Sequence, residues 1–238
     1  MWRINRYLAS CGLGSRRSVE ELIKSGRVEV NGKPVTSLAS TVEEGDRVTL
    51  NGKGISPEKK LYVVFNKPTG SIVSRRDPAG RKTIYRYIHL PERLFYVGRL
   101  DFNTSGLLLL TNDGELAFRL THPSYRIERE YLATVCSPLS KEKINNLRLG
   151  KLSLDGKPLG RVKVDFLGKR DKRFLYRIVL TEGRYREIRR IFDKLKIKLL
   201  SLHRTRYAGL RLGKLPVGRW RYLSKQEVAE LRRDVGIV

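Results

Sequence analysis

The chain is organised around one segment, Val97-Gly-Arg-Leu-Asp-Phe-Asn-Thr-Ser-Gly-Leu-Leu-Leu-Leu-Thr-Asn-Asp-Gly114. The run from Leu107 to Leu110 predicts a strand buried on both faces, because it is short, unbroken and bounded by turn residues. Asp101 precedes this strand in a loop, and loops on rigid scaffolds commonly carry reactive side chains. An aspartate in an Asp-x-Asn-x-Ser-Gly loop also commonly bonds its own backbone. On residue types alone, a role in the turn is the simpler interpretation of Asp101.

The chain carries a large excess of positive charge. Its 238 residues include 50 Lys and Arg but 24 Asp and Glu, a formal charge of +26. Self-repulsion at this charge opposes folding, so we expect a polyanionic partner. The cations are spread along the chain, which predicts a wide basic face on folded domains, not a disordered basic arm. The length allows one large domain, or a small domain followed by a medium one.

Several classes of protein are disfavoured by what the sequence lacks. No apolar run approaches the ~20 residues of a bilayer span, and no signal-peptide pattern begins the chain, so we expect no membrane association and a cytoplasmic location. Cys11 and Cys136 lie far apart without Cys-x-x-Cys spacing, which favours small buried thiols in a reducing compartment. The histidines form no metal-ligand pattern and no nucleotide-binding motif occurs, so we expect neither metal nor cofactor.

The N-terminal part of the sequence predicts a small module. Apolar spacing indicates a helix over 2–11, and Ser15 is a candidate N-cap for a second helix. Asn31-Gly32 between short apolar alternations predicts a hairpin. We therefore expect a compact module over residues 1–51. Residues 52–60 hold glycine and proline without an apolar period, which is typical of a linker.

The cations of this module are candidates for RNA contact. Arg16 and Arg17 fall in the first turn predicted for the second helix, where the helix dipole disfavours cations unless a phosphate is near. The alternative is a solvated charged face, but concentration at one helix start favours phosphate binding. The candidate RNA-binding residues here are Arg3, Arg6, Arg16, Arg17, Lys24 and Arg27.

The remainder, 61–238, predicts a second domain of mixed structure. Alternation at 129–135 and in the pair 162–166 and 174–180 indicates strands and a hairpin. Helical periods and a capping box at Ser224 indicate helices between and after them. The fold class is α+β: a small helix-rich RNA-binding module followed by a mixed, largely antiparallel sheet domain. Arg184 and Arg186 crowd the turn before one helix and are further candidates for RNA contact.

Three kinds of chemistry compete for this sequence. A Ser-His-Asp hydrolase needs a base beside its nucleophile, and Ser105 has neither a nucleophile elbow nor a clearly assigned histidine. A glycosidase needs a second carboxylate, for which Asp113 is available although a helix cap is simpler. A metal nuclease needs several acids, which are sparse here. The remaining candidate is Asp101 alone, kept charged by an arginine as a nucleophile requires.

Several motifs in order resemble known RNA-binding and RNA-modifying families. Asn5-Arg-Tyr-Leu-Ala-Ser, Gly14-Ser-Arg-Arg, Glu21-Leu-Ile-Lys-Ser-Gly-Arg-Val and Val30-Asn-Gly resemble the RNA-binding module shared by ribosomal protein S-four and tyrosyl-tRNA synthetases. The segment 98–114, with Asn66-Lys-Pro-Thr-Gly, Glu130-Tyr-Leu-Ala-Thr-Val and Glu182-Gly-Arg-Tyr-Arg-Glu-Ile-Arg-Arg-Ile-Phe, resembles pseudouridine synthases of the bacterial Rsu-type branch, which modifies ribosomal RNA. Together these matches cover nearly the whole chain.

The resemblance implies roles that the residue pattern does not. It makes Asp101 the catalytic aspartate, Tyr131 the residue that stacks on the target base, and Arg189 the partner of the aspartate, with Arg99 in support. By pattern alone, Tyr131 is a core residue, Arg189 an exposed helix cation and Arg99 a phosphate or carbonyl ligand. The family reaction breaks the C1′–N1 bond of uridine, turns the base and joins C5 to C1′. It adds no atoms, so it implies no cofactor, and it leaves open whether the aspartate attacks sugar, attacks base or removes a proton.

Two functions remain open at the level of sequence. The first is isomerisation of a uridine in ribosomal RNA, free or in a ribosomal precursor particle, by a monomer. Arg76-Asp-Pro-Ala-Gly-Arg-Lys and His122-Pro resemble enzymes of the large subunit, while small-subunit RNA and tRNA stay possible. The alternative is a non-catalytic RNA-binding or ribosome-assembly factor with the same fold. Convergence of Asp101, Tyr131 and Arg189 on one basic pocket would favour the enzyme.

Overall fold

A computed structural model describes residues 1–237, which divide into two compact units. The first unit consists of Met1–Leu61 with Leu90–Phe95 and Asn112–Gly114, and the second of Tyr62–His89, Tyr96–Thr111 and the segment from Glu115 onward. The predicted domain limits stay a prediction, and their last residue, Val238, lies outside the described residues. None of the helices over 1–237 has the length and apolar content that crossing a bilayer requires.

The first unit combines short helices with short strands around one small core. Its elements are β1 (Trp2–Arg3), α1 (Ile4–Ser10), α2 (Glu20–Lys24), β2 (Val28–Val30), β3 (Lys33–Pro34), β4 (Thr41–Val42), β5 (Val48–Leu50) and β6 (Lys53–Gly54). One sheet runs β3-β2-β5-β6, and β1 pairs with β4. Asn31 and Gly32 have φ of 52° and 77°, the left-handed turn that joins β2 to β3 and confirms the predicted hairpin. The core is apolar, with Ile4, Leu8 and Ile23 fully buried.

The structure corrects two predictions in this unit. The second helix is assigned from Glu20, later than predicted, and Arg16 and Arg17 lie in a turn before it. Ser15 nevertheless has the side-chain bonds of a cap: its Oγ accepts from the N–H of Ser18 at 3.1 Å, and Ser18 Oγ accepts from the N–H of Ser15 at 2.7 Å. The predicted linker at 52–60 begins too early, because Lys53–Gly54 pairs with β5 as strand β6.

The second unit is built on one large mixed sheet. Its elements are β7 (Tyr62–Lys67), β8 (Phe95–Val97), β9 (Ser105–Thr111), α3 (Gly114–Thr121), β10 (Arg129–Val135), α4 (Lys141–Arg148), β11 (Ser153–Leu154), β12 (Lys157–Pro158), β13 (Lys163–Arg170), β14 (Arg173–Leu180), α5 (Glu187–Lys194), β15 (Leu199–Tyr207), β16 (Leu210–Arg211), β17 (Trp220–Tyr222) and α6 (Lys225–Asp234), with 3₁₀ helices at Ile84–Arg86 and Pro123–Tyr125. The main path of the sheet is β13-β14-β10-β15-β9-β7-β17. Along this path, within residues 1–237, β15 and β9 are the only neighbouring strands that run parallel. This confirms the predicted α+β class with a largely antiparallel sheet.

Strand β9 lies inside this sheet and carries the loop of Asp101. The four leucines 107–110 are fully buried, as their unbroken run predicts. At the start of the strand, Gly106 has φ of +107°, and a Cβ there would lie 2.3 Å from the carbonyl oxygen of Arg204. Only glycine permits this approach of β9 to β15. The loop that precedes β9 is therefore held close to the middle of β15.

Other elements match their sequence signals. Strand β10 spans the predicted residues 129–135, and β13 with β14 forms the predicted hairpin. Ser224 caps α6 with a complete capping box to Glu227, as its sequence indicates. Ser140 caps α4 through its side chain, which accepts from the N–H of Lys143. These elements position β10, β15 and the start of α5 next to the loop of Asp101.

Candidate active site

A cavity of about 1400 Å³ opens in the second unit beside the Asp101 loop. Its walls come from that loop, from β10 and β15, and from the turn before α5. It exceeds the roughly 300–1,000 Å³ typical of small-molecule sites, so it suits a segment of a larger ligand. In the described chain its lining includes nine arginines but four acidic residues, Asp77, Asp101, Glu182 and Glu187. The cavity is therefore strongly basic and fits a polyanion.

Asp101 lies in this cavity between two guanidinium groups. Arg189 Nε is 3.5 Å from Asp101 Oδ2, and Arg186 Nη1 is 4.0 Å from the same oxygen. The Asp101 side chain is 27% exposed and that of Arg189 is 14% exposed, so the pair is shielded but within reach of a ligand. Burial lowers the pKa of Arg189, and the Asp101 charge opposes this shift. Two guanidinium groups thus pair with one oxygen of the Asp101 carboxylate.

The backbone of the Asp101 loop is fixed from two sides. Arg189 Nη2 donates to the carbonyl oxygen of Asn103 at 2.7 Å and to Thr104 Oγ1 at 3.1 Å. From the other side, Lys67 Nζ donates to the carbonyl oxygens of Asp101 and Thr104, at 3.1 and 2.9 Å. Burial lowers the pKa of Lys67 to about 8, while the Asp101 charge raises it. The carboxylate is thus presented by a loop with little freedom to move.

Arg186 reaches Asp101 from an unusual backbone conformation. It occupies the N-cap position of α5 with φ of 48° and ψ of 34°, the left-handed region that non-glycine residues adopt at a cost of order 1 kcal/mol. One residue later, Glu187 is buried and accepts a hydrogen bond from the N–H of Arg184 at 3.0 Å. Burial raises the pKa of Glu187. Strained backbone of this kind concentrates at functional sites.

The other predicted support residues lie in the same cavity. Tyr131 is 8% exposed, lines the cavity and stands opposite Arg204 in the register of β10 and β15. It is therefore packed in the sheet, as its alternation predicts, and still faces the site. Arg99 lines the cavity as an exposed residue. Asp101, Tyr131, Arg189 and Arg99, separated by up to 90 positions in the chain, thus meet in one place.

The predicted RNA-binding residues fall into two groups. Arg184 and Arg186 line the cavity of the second unit. The others, Arg3, Arg6, Arg16, Arg17, Lys24 and Arg27, are exposed cations of the first unit. Within that unit, Arg27 Nε donates to Asn51 Oδ1 at 2.9 Å and Arg6 packs over the ring of Trp2 at 5.0 Å. Exposed cations held by weak local contacts can exchange those contacts for phosphates.

Two further residues of the site were not predicted from the sequence. Lys67 is fully buried at the end of β7 and holds the Asp101 loop without lining the cavity of the described chain, and the signal for it was a lysine two positions after the apolar run that ends at Phe65. Arg204 is 1% exposed and lines the cavity. Its position in β15 gave no signal, because a cation in an alternating strand is usually solvent-facing.

The additional residues that the competing reactions would need do not line this cavity of the described chain. Ser105 Oγ lies 2.8 Å from His203 Nδ1, a pairing that the sequence pattern did not indicate. Neither residue is among those that line the cavity, and no hydrogen bond to a carboxylate is found for His203 within residues 1–237. Asp113 is buried, pairs with Lys60 at 3.2 Å and is not a cavity residue of the described chain. Among residues 1–237, no group of three or more His, Cys, Asp or Glu is placed to hold a metal ion.

Comparison with known proteins identifies the family. Residues 61–194 match the family described as RNA pseudouridylate synthase, and residues 2–55 match the S4 domain. The chain is 39% identical to ribosomal large subunit pseudouridine synthase B of Bacillus subtilis, over 98% of this chain and 96% of that protein. It is 42% identical to an uncharacterized RNA pseudouridine synthase of Aquifex aeolicus, over 99% and 95% of the two chains.

A solved structure agrees with these matches. A crystal structure of a pseudouridylate synthase superposes with a TM-score of 0.70 at 28% identity, covering 97% of this chain and 100% of that one. The resemblance seen in the sequence motifs is thereby confirmed at both ends of the chain. The chain belongs to the RNA pseudouridylate synthase family and carries an S4 domain at its N-terminus.

Proposed function

We propose that the chain converts one uridine of large-subunit ribosomal RNA to pseudouridine, with Asp101 as the catalytic carboxylate and without a cofactor. The observation that carries this proposal is the convergence of Asp101, Arg189 and Tyr131 on one basic cavity. The name of the Bacillus subtilis relative supports the choice of large-subunit RNA. A non-catalytic RNA-binding factor would have no need for a carboxylate paired with two cations in its basic cavity.

Each residue has a physical task in this proposal. Asp101 reacts with the flipped nucleoside as an anion, and Arg189 and Arg186 pair with it and orient it. Extruding the uridine from its stack costs a few kcal/mol. Stacking of the base on Tyr131 returns about 1–3 kcal/mol, and the cavity arginines contribute phosphate contacts. Product and substrate contain the same atoms, so the reaction itself consumes no co-reactant.

The remaining expectations join this proposal. The N-terminal module, residues 1–51, would hold the ribosomal RNA or precursor particle through its exposed cations, and residues 61–238 would perform the chemistry. The protein would act as a monomer in the cytoplasm. Sedimentation of the protein without RNA tests whether it is a monomer. A stable dimer that binds RNA across its two copies would overturn it.

Substitution of the carboxylate tests the function. Asp101→Asn removes the charge but keeps the shape, so we expect pseudouridine formation to be lost while RNA binding persists. The matched control is Asp171→Asn, the same change at an exposed hairpin turn where Asn also adopts the left-handed conformation. The substrate is large-subunit RNA that lacks the modification, and pseudouridine is mapped chemically after incubation with each protein. Full activity of the Asp101→Asn protein would reject the catalytic role, and an inactive wild-type protein that still binds the RNA would favour the binding factor.

A further inference from the structure

Arg204 is a buried cation whose contacts do not account for its charge. Its side chain is 1% exposed, and Nε donates to the carbonyl oxygen of Leu107 at 2.7 Å. Its Cζ lies 4.9 Å from the ring centre of Tyr207. Among residues 1–237, Arg204 Nη2 is buried without any hydrogen-bond partner. The contacts that hold this guanidinium are thus a carbonyl and an aromatic face, not a carboxylate.

A buried guanidinium without a carboxylate partner destabilises the folded protein unless a ligand interacts with it. Burial of an ion without a counter-charge destabilises the folded protein, and an unsatisfied buried donor adds to this cost. A second guanidinium increases the positive potential here, because Arg129 lies 5.3 Å from the same Tyr207 ring and donates from Nη1 to the carbonyl oxygens of Ile127 and Thr181. Both arginines line the cavity of Asp101. The part of the cavity wall formed by Arg129 and Arg204 is therefore suited to contact a negatively charged group.

The position of Arg204 specifies which part of a ligand it would meet. It stands directly opposite Tyr131 across β10 and β15, so a base stacked on Tyr131 would lie beside it. The edge of a uracil presents carbonyl oxygens, which are hydrogen-bond acceptors.

We infer that Arg204 is a catalytic residue whose guanidinium donates a hydrogen bond to a carbonyl oxygen of the flipped uracil and stabilises the negative charge that develops on the base. This inference rests on the proposed function. It holds for each way in which Asp101 can act. When the C1′–N1 bond breaks, its electron pair stays with the base, and the sugar carbon either bonds to the carboxylate or is neutralised by loss of a sugar proton to it. When the carboxylate instead adds to the ring, the electron pair moves to a carbonyl oxygen.

The later steps remove the negative charge from the base. The turned base forms its C5–C1′ bond with the electron pair that it kept. The bond from the carboxylate to sugar or ring then breaks, or the sugar recovers its proton from the carboxylic acid, and the proton on C5 moves to N1. The base is neutral before the first step and after the last. Arg204 therefore interacts more strongly with the intermediate than with substrate or product. An interaction of this kind raises the rate of the chemical step and contributes little to binding.

Single-turnover kinetics with two variants and one control test this assignment. Arg204→Met removes the charge, and Arg204→Lys keeps the charge but not the guanidinium geometry. The control is Arg206→Lys, in the same strand, where the arginine pairs with Glu128 at 2.9 Å and with Glu130 at 3.5 Å and is not among the cavity residues of the described chain. We expect the rate constant to fall by about 10²–10³ in Arg204→Met, as for loss of an oxyanion donor, with RNA affinity within about threefold of wild type. Arg206→Lys should react as wild type does.

A substituted substrate separates a chemical role from a structural one. Fluorine at C5 withdraws electrons and stabilises a uracil anion without help from the protein. With RNA carrying 5-fluorouridine at the target position, we expect the loss of rate in the Arg204 variants to shrink by at least tenfold, measured as disappearance of the intact nucleoside after digestion. A loss of rate that is equal for both substrates would show that Arg204 only supports the fold, and would overturn the inference. Weaker RNA binding at an unchanged rate would overturn it as well.

The outcomes also distinguish this inference from the function on which it rests. A wild-type protein that forms no pseudouridine rejects the proposed function. An active wild type with an equally active Arg204→Met rejects the role of Arg204 alone. Thermal unfolding identifies a variant that does not fold, and the comparison of substrates is then made with Arg204→Lys, which retains the buried charge.

Discussion

The carbonyl oxygen of Asp101 accepts a hydrogen bond from the Nζ atom of the fully buried Lys67, at 3.1 Å. The same ammonium donates to the carbonyl oxygens of Pro68 and Thr104, at 3.0 and 2.9 Å. Strand β7 therefore holds both ends of the loop that presents the carboxylate. The orientation of Asp101 depends on a residue that does not line the cavity, within the described chain.

Replacement of this lysine should damage both stability and activity. Lys67→Met leaves three carbonyl oxygens, that of Thr104 buried, without their donor, so we expect the free energy of unfolding to fall by about 2–4 kcal/mol. The remaining folded protein should show a lower rate constant, because the loop of Asp101 is no longer fixed. Lys214→Met, an exposed position, is the control. Urea denaturation measures the first effect, and unchanged stability would contradict the role of Lys67 in holding the loop.

The same lysine predicts a pH dependence of stability. Its folded pKa of about 8 lies below the ordinary value of 10.5 because of burial. Between these two values the folded protein has released the proton and the unfolded chain still binds it, so stability rises with pH in this window. We expect the wild type to gain stability relative to Lys67→Met from about pH 8 to about pH 10.5 and to show no such gain below pH 8. A flat difference across this range, from urea titrations of both proteins, would refute the shift.

Arg189 should not be replaceable by lysine. Its guanidinium lies 3.5 Å from the Asp101 carboxylate through Nε and bonds the loop backbone through Nη2, and an ammonium cannot serve both sites. We expect Arg189→Lys to lower the single-turnover rate about 10²-fold, the cost typical of a misplaced catalytic group. Arg190→Lys is the control, since Arg190 lies on the same helix and pairs with the exposed Asp155. Equal activity of the two variants would remove Arg189 from the site.

The first unit should contribute to RNA affinity through Arg16 and Arg17. Both are exposed in the turn before α2. Their joint replacement by Ala should weaken binding and reduce the slope of log affinity against log salt by roughly 0.7–0.9 for each phosphate that the protein no longer neutralises. The control removes the same charge elsewhere in the unit, with Lys33→Ala and Lys53→Ala in exposed strands. If both pairs change the slope equally, a general charge effect and not a specific interaction is responsible.

The two cysteines should differ sharply in reactivity. Burial raises the pKa of Cys11 to about 11 from the ordinary 9.0, and a thiol reacts through its thiolate. Near pH 8 this leaves about a hundredfold less thiolate than at the ordinary pKa. Cys136 is exposed, so iodoacetamide should modify it first. Mass spectrometry of partly alkylated protein measures the order, and preferential reaction of Cys11 would contradict the burial described for it.

Local sequence determined much of this molecule. The run of four leucines, the alternation at 129–135, the Asn31-Gly32 turn and the Ser224 capping box each specify one element through short-range chemistry. The motif around Asp101 also indicated the family, which its relatives confirm. Local signals were less exact at the ends of elements, as at Ser15, where the predicted cap bonds are present but the helix is assigned only from Glu20.

Tertiary structure decided the site itself. Asp101 and Arg189 are 88 positions apart, and they meet because β9 and β15 run side by side and α5 precedes β15. The buried roles of Lys67 and Arg204 follow from which strands become neighbours, and no short-range pattern contains that information. An amino-acid sequence specifies local conformation directly, but it specifies which distant groups share a low-dielectric interior only through the pairing of the whole sheet.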